Sequence, residues 1–213
     1  MFTVAFDWIL AHPTLFNRAL ERHLTMCAIA IGLGLTIGLG LALSIVNSRR
    51  LAAVAVNGVN ALRTVPSLAI LALMMPLLGI GIWPAVVALT ILAIPPILLN
   101  SYVGLRDVDP TVLDAAVGMG MTRGQILRKT RLPLAAPAIF AGARTATVQV
   151  LAGATLAPFI GGGGLGDFIA QGIGMMDSAR MLVGAIPIAL LALTAEFSLG
   201  SLEKLLFTPR VGK

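Results

Sequence analysis

The chain alternates between long apolar segments and short polar ones. Five apolar segments stand out: residues 24–46, 61–78, 82–102, 134–157 and 181–199. A helix rises about 1.5 Å per residue, so about 20 apolar residues cover a hydrocarbon core of about 30 Å. The pattern predicts an all-α integral membrane protein with five transmembrane helices.

The second segment is the least regular of the five. Residues 51–62 are only moderately apolar, and Arg63 and Pro66 interrupt the pattern before residues 65–79 become strongly apolar. Two arrangements fit: an interfacial helix leading into a short span, or one long span broken near Pro66. We favour a span over residues 61–78 with an amphipathic lead-in. In the first segment, Gly34 and Gly38 form a small-xxx-small face suited to close helix packing.

Composition excludes a soluble protein and gives no sign of an enzyme. The 213 residues are 58% hydrophobic and 11% charged, with a mean hydropathy of +0.97, too apolar for a soluble core to bury. Cys27 is the single cysteine, so no disulfide can form within the chain. No Ser-His-Asp order, paired catalytic acids or metal-ligand spacing is present in the sequence. We therefore assign no catalytic residue and no metal site.

The basic residues indicate an orientation with the N-terminus outside and the C-terminus inside. The cytoplasmic side then receives Arg49, Arg50, Arg63, Arg106, Arg123, Arg128, Lys129, Arg131, Lys204, Arg210 and Lys213, whereas Arg18, Arg22 and Arg180 lie outside. Residues 107–133 become a cytoplasmic loop, and residues 207–213 a cytoplasmic tail. Residues 1–16 lack the basic start and cleavage site of a secretory leader. We expect residues 1–23 to form an extracytoplasmic N-terminal segment. The net charge of +6 thus reflects topology and not nucleic-acid binding.

The cytoplasmic loop carries the local signals of two short helices. These signals are Asp109 and Pro110 at the start of the first helix, Gly118 and Gly120 at its end, Thr122 and Gln125 as a capping box for the second, and Pro133 as its close. The loop is therefore expected to be a shaped helical knob that holds a partner.

Within this loop, Asp114-Ala115-Ala116 is followed by Gly120 and then by Leu132-Pro133. This spacing resembles the Glu-Ala-Ala (EAA) loop of ABC-type import permeases, with Asp114 in place of the usual Glu and Thr130 where an Ile is common. The resemblance covers residues 24–206, the expected permease domain. Residues 62–67 and 161–167 are similar to the osmoprotectant branch, which carries glycine betaine, choline or carnitine. Amino acids or other small polar solutes are alternative cargoes.

The resemblance implies a type I importer permease fold in the bacterial inner membrane. It also implies a dimer with a second copy or a paralogue, two ATP-binding cassette subunits and an extracytoplasmic solute-binding protein. ATP and Mg²⁺ would be bound by the partner ATPase, with no cofactor in this chain. The coupling residues would be Asp114, Ala115, Ala116, Gly118, Gly120, Leu132 and Pro133.

A glycine-rich segment lies on the expected outer side. Gly161, Gly162, Gly163 and Gly164 precede Asp167 and contain a formal Gly-x-Gly-x-x-Gly match. The strand and helix context of a dinucleotide site is missing. We expect an outer gate or a contact for the binding protein, with a plain turn as the alternative.

Several polar residues fall in or beside the spans. Arg144 and Glu196 lie at similar depths from the cytoplasmic side, so they could form an ion pair or line the solute path. The other candidates, each of which could line the path or bond a neighbouring helix, are Asn57, Asn60, Arg63, Thr64, Ser67, Asn100, Thr145 and Gln149. Because the spans hold few aromatic residues for a quaternary-ammonium cage, we expect high-affinity selection to reside in the binding protein.

A transporter or channel driven by an ion gradient is the rival hypothesis. It would use Arg144 and Glu196 as its coupling pair and the breaks at Pro66 or Pro95-Pro96 as its site. The rival leaves the patterned cytoplasmic loop without a role.

Overall fold

The computed structural model describes residues 2–207, which form helices and contain no strand. The helices are α1 (Phe2–Ala11), α2 (Pro13–Ile45), α3 (Arg49–Thr64), α4 (Ser67–Leu78), α5 (Ile82–Arg106), α6 (Pro110–Gly118), α7 (Arg123–Ile126), α8 (Leu132–Gly153), α9 (Gly166–Met175) and α10 (Ser178–Phe207). A π-helical segment, Leu127–Arg131, joins α7 to α8, and a 3₁₀ segment, Ala154–Ile160, follows α8.

Helix α5 is the centre of the bundle. It is apolar on all sides, as a fully buried helix is expected to be, and it packs mainly against α2 and α8. Its Leu89 and Ile97 form the core with Met26 of α2, Leu71 of α4 and Val150 of α8. The bundle therefore holds its other helices around α5.

The spans are longer than the apolar segments predicted. Four stretches within residues 2–207 are long and apolar enough to cross a membrane: α2, α5, Arg123–Ile160 and α10. The pair α3 and α4 makes a fifth if it counts as one span. The all-α membrane fold is thus confirmed.

The expected N-terminal segment, residues 1–23, packs on the bundle in its described part, residues 2–23. Helix α2 already begins at Pro13, and Ala5 of α1 is buried in a cluster with Phe168 and Val183. Trp8 of α1 packs edge-on against Phe168, with ring centroids 5.2 Å apart. The expected tail, residues 207–213, lies outside the described residues apart from Phe207.

The second span is not one helix over residues 61–78, as we favoured. Helix α3 ends at Thr64, α4 begins at Ser67, and the two are bent by 97°. Val65 is extended (φ −73°, ψ 126°) because the ring of Pro66 disfavours helical backbone in the preceding residue. The 12 residues of α4 reach only about 18 Å, less than the hydrocarbon core. The span is therefore broken at Pro66.

Pro133 does not close the second loop helix, contrary to the prediction. The chain stays helical from Arg123 through Pro133 into α8. In the π-helical segment the Leu132 N–H bonds the Leu127 carbonyl, five residues back. Pro133 then lies at the start of α8, directly after the π-helical segment. The loop is thereby joined to the fourth span without a hinge at the proline.

We expect Gly34→Ala to destabilise the bundle by about 1–3 kcal/mol. A Cβ at Gly34 would lie 2.6 Å from the Cβ of Ala93 on α5, whereas one at Gly32 would meet nothing within 4 Å. Gly32→Ala, on the same helix, is the matched control and should be neutral or stabilising. The measurement is the thermal midpoint in detergent, and equal midpoints for the two variants would contradict the close packing of α2 on α5.

Candidate functional site

The first loop helix, α6, begins as its sequence predicted. The Asp109 carboxylate accepts hydrogen bonds from both the hydroxyl and the backbone N–H of Thr111, each at 2.8 Å. These two bonds hold the pKa of Asp109 below its ordinary value, with the hydroxyl contributing more. Pro110 occupies the first helical position. The entry to the loop is therefore fixed by local hydrogen bonds.

The end of α6 is a Schellman turn centred on Gly120. The Gly120 N–H bonds the Val117 carbonyl at 2.9 Å, and the Met121 N–H bonds the Ala116 carbonyl at 3.1 Å. Gly120 takes a φ of +76°, and no other atom lies within 4 Å of where its Cβ would be. Backbone conformation, and not crowding within this chain, therefore explains the glycine.

The second loop helix starts with the predicted capping box. The Gln125 side chain accepts from the Thr122 N–H at 2.8 Å, and the Thr122 hydroxyl accepts from the Gln125 N–H at 3.4 Å. Further on, the Arg131 guanidinium donates to the Asn47 side chain at 3.1 Å. This bond ties the loop to the turn between α2 and α3, 84 residues away in sequence.

The two loop helices enclose an open groove of about 680 Å³. Asp114 lines it, together with Arg123 and Arg131 from the opposite side. Of the other coupling candidates, Ala115, Gly118, Gly120 and Pro133 are exposed, Leu132 is half-buried and Ala116 is buried. Beside them, Val112, Val117 and Met119 expose apolar side chains. The knob thus offers apolar contacts around an acidic group, which suits a protein partner better than solvent.

A second cavity, of about 300 Å³, lies at the bend between α3 and α4. It brings together four of the predicted pathway residues, Arg63, Thr64, Ser67 and Gln149. Asn60 does not line it. Asn100 does not either, and it donates to the Pro96 carbonyl at 2.8 Å. Asn100 therefore bonds its own helix one turn back, while the other four face a common space.

Arg144 and Glu196 are in contact, as their depths suggested, but the cluster has a third member. The Arg144 Nε lies 3.7 Å from the Glu196 Oε1, and its Nη1 lies 2.9 Å from the Glu203 Oε2. Glu203 is absent from the predicted sites because the fifth span was ended at residue 199. Its spacing of seven residues from Glu196, two helical turns on the same face, is the signal that a longer span would have used. Among residues 2–207, no group of three His, Cys, Asp or Glu side chains is arranged to hold a metal ion.

The glycine-rich segment packs against α2 through Gly163 and Gly164, and against α5 through Gly162. Gly162, Gly163 and Gly164 are buried and only Gly161 is exposed. A Cβ at Gly163, where φ is +74°, would lie 2.9 Å from the Nε of Arg22. These three glycines are therefore packed within the bundle, and an outer gate, a contact for the binding protein and a plain turn stay open as their roles. The contact of Arg22 with this segment was not predicted, because the two lie about 140 residues apart in the sequence.

Arg22 interacts with the glycine-rich segment and with Asp167, which follows it. Its guanidinium donates to the Gly161 carbonyl at 3.4 Å. Burial raises the pKa of Asp167, while the Arg22 charge and a hydrogen bond from the backbone at Gly164 oppose the rise. Arg22 and Asp167 thus belong to the same polar group as the glycine-rich segment.

The chain is similar to known proteins in sequence and in structure. Residues 34–208 match the family described as binding-protein-dependent transport system inner membrane component. The carnitine transport permease protein OpuCB of Listeria monocytogenes is 43% identical over 182 residues, which cover 85% of this chain and 84% of that protein. The choline transport system permease protein OpuBB of Bacillus subtilis is 42% identical with the same coverage. The osmoprotectant import permease protein OsmW of Salmonella typhimurium is 38% identical, covering 89% and 90%.

Solved structures share the fold. An inward-facing conformation of the MetNI methionine ABC transporter superposes with a TM-score of 0.83 at 24% identity, covering 92% of this chain and 97% of that one. An amino acid ABC transporter with histidines gives a TM-score of 0.76 at 22% identity, covering 94% and 98%. At these identities the likeness establishes the helical arrangement alone.

Proposed function

Because this chain belongs to the family of binding-protein-dependent transport system inner membrane components, we propose that it carries a quaternary-amine osmoprotectant such as glycine betaine, choline or carnitine. The chain is a multi-pass permease subunit of the inner membrane, and its fold is that of ABC importer permeases. The observation that supports the cargo is the 43% identity over 85% of this chain to a carnitine permease. A choline permease is 42% identical, and a glycine betaine/carnitine/choline permease is 40% identical.

The knob formed by α6 and α7 contacts the ATPase and receives the motion that ATP drives in it. Its exposed Val112, Val117 and Met119 pack against an ATP-binding cassette subunit, and Asp114 in the groove accepts hydrogen bonds from that partner. ATP and Mg²⁺ are bound by the partner, with two such subunits serving two permease chains. Since the helix runs without interruption from Arg123 to Ile160, motion of the knob is transmitted directly to the fourth span.

The solute enters at the glycine-rich segment and passes the bend. A separate binding protein delivers it at the outer side, where Arg22 holds the gate shut through Gly161. Opening requires that hydrogen bond to break and the buried glycines to separate from α2 and α5. The cavity beside Arg63 is the next polar space on this route.

Reconstitution tests this proposal. The permease is co-expressed with its ATPase and assembled in proteoliposomes with the binding protein, and uptake of labelled glycine betaine, choline and carnitine is measured with and without ATP. We expect uptake of at least one of the three that requires both ATP and the binding protein. Uptake that persists without ATP and follows an ion gradient would instead support a secondary transporter. ATP-driven uptake of amino acids alone would overturn the cargo and leave the permease role intact.

A further inference from the structure

We propose that the cavity at the bend between α3 and α4 binds a carboxylate group of the solute. The permease itself would then favour zwitterionic quaternary amines, which carry a carboxylate, over choline, which does not. The inference rests on the proposed function for its cargo, but the cavity's chemistry stands on its own residues.

The charge of the cavity is positive and uncompensated. Arg63 contributes a guanidinium, and no Asp or Glu is among the lining residues. Arg63 forms no salt bridge with any residue from 2 to 207, a range that contains every acidic residue of the chain. The Arg63 side chain is exposed, and its charge attracts an anion and repels a cation that enters the cavity. The cavity therefore disfavours a solute whose only charge is positive.

Hydrogen-bonding groups around Arg63 are free to bind. Neither the Ser67 hydroxyl nor the Gln149 amide has a hydrogen-bond partner within the described part of the chain. The Thr64 hydroxyl already donates to the Ala61 carbonyl at 2.7 Å, so it offers a carboxylate no hydrogen bond. Gln149 comes from α8 and Ser67 from α4, so donors reach the space from two sides. A carboxylate, which only accepts hydrogen bonds, would satisfy them.

The rest of the cavity wall suits the trimethylammonium end of such a solute. Leu62, Ile91, Leu92 and Pro95 supply apolar surface, and no aromatic ring lines the cavity. A trimethylammonium group can therefore make methyl contacts there but no cation–π contact. A volume of about 300 Å³ is at the lower end of the range for ligand sites. Recognition thus falls on the carboxylate and not on the ammonium.

Cysteine labelling of the assembled complex tests the proposal without depending on transport. Ser67→Cys places a thiol in the cavity, and the native Cys27 is buried. The variant, in complex with its ATPase in nanodiscs, is treated with an anionic sulfonatoethyl or a cationic trimethylammonioethyl methanethiosulfonate. A thiolate by itself reacts faster with a cationic reagent, so the ratio of the anionic to the cationic rate is compared with that of a free thiol. We expect this ratio to be about tenfold higher in the cavity. Glycine betaine at tens of millimolar should slow the reaction, and choline should not.

Substitutions at Arg63 distinguish the effect of its charge from the effect of its shape. In the Ser67→Cys background, Arg63→Gln should abolish both the reagent preference and the protection by glycine betaine, while Arg63→Lys should keep the preference. Gly174→Cys on α9, where a side chain meets open space, should be protected by neither solute. A ratio of the two reaction rates no higher than that of a free thiol, or equal protection by choline and glycine betaine, would overturn the inference. If labelling behaves as expected but no ATP-driven uptake of these solutes is found, the proposed function fails and the carboxylate site stands.

Discussion

Gly120→Val is expected to reduce ATP-driven uptake at least tenfold while leaving the permease in the membrane. Gly120 has a φ of +76° in the turn that ends α6. A left-handed conformation costs an L-residue about 1–2 kcal/mol, and a β-branched residue is a particular outlier there. The turn would rearrange, and both of its hydrogen bonds, to Val117 and Ala116, would be lost. Co-purification of the ATPase and uptake in proteoliposomes measure the effect.

The matched control is Gly120→Asn at the same position. Asparagine tolerates positive φ far better than valine, so this variant should keep most of the ATPase association. Normal association of Gly120→Val would show that the turn is not needed for coupling. Loss in both variants would mean that the partner packs directly on Gly120, because this chain leaves open space around its missing Cβ.

Local chemistry explains why the loop could be predicted in detail. The caps at Asp109 and Thr122 and the turn at Gly120 each depend on residues within five positions of one another. Such bonds form in much the same way wherever the segment lies. The prediction that Pro133 ends a helix was wrong because a π-helical segment precedes it. Nothing in the local sequence signals that change in hydrogen bonding.

Longer-range features were predicted only in part. The position of the break in the second span follows from Pro66, but its angle of 97° depends on packing against α5. The depths of Arg144 and Glu196 along their helices were enough to predict that the two meet. Predicting the contact with Glu203 required the true length of α10. The contact of Arg22 with the glycine-rich segment depends on tertiary packing alone.

Arg144→Glu is expected to lower the stability of the assembled permease by about 2–3 kcal/mol, the cost of a charge left unpaired in a span. It would place three carboxylates together, at positions 144, 196 and 203. Glu203→Gln should cost more than Glu196→Gln, because Glu203 lies 2.9 Å from the guanidinium and Glu196 lies 3.7 Å away and is half-exposed. The thermal midpoint of the detergent-solubilised complex is the measurement. Arg50→Glu, in the first turn of α3 where an acid is favourable, is the charge-reversal control and should have little effect.

Reversing the charges of Arg144 and Glu203 together distinguishes an ion pair from a general need for polar side chains at these positions. In Arg144→Glu combined with Glu203→Arg, the pair at positions 144 and 203 is restored with its charges exchanged, and the cluster keeps its native net charge. Gly200 leaves room beside this cluster, since a Cβ there would lie 3.0 Å from the Arg144 Nη1. We therefore expect the double variant to recover more than half of the stability lost in Arg144→Glu. A double variant no more stable than Arg144→Glu would show that Glu203 does not stabilise α8 against α10 through its charge, and that Arg144 serves another contact, such as the solute or the second permease chain.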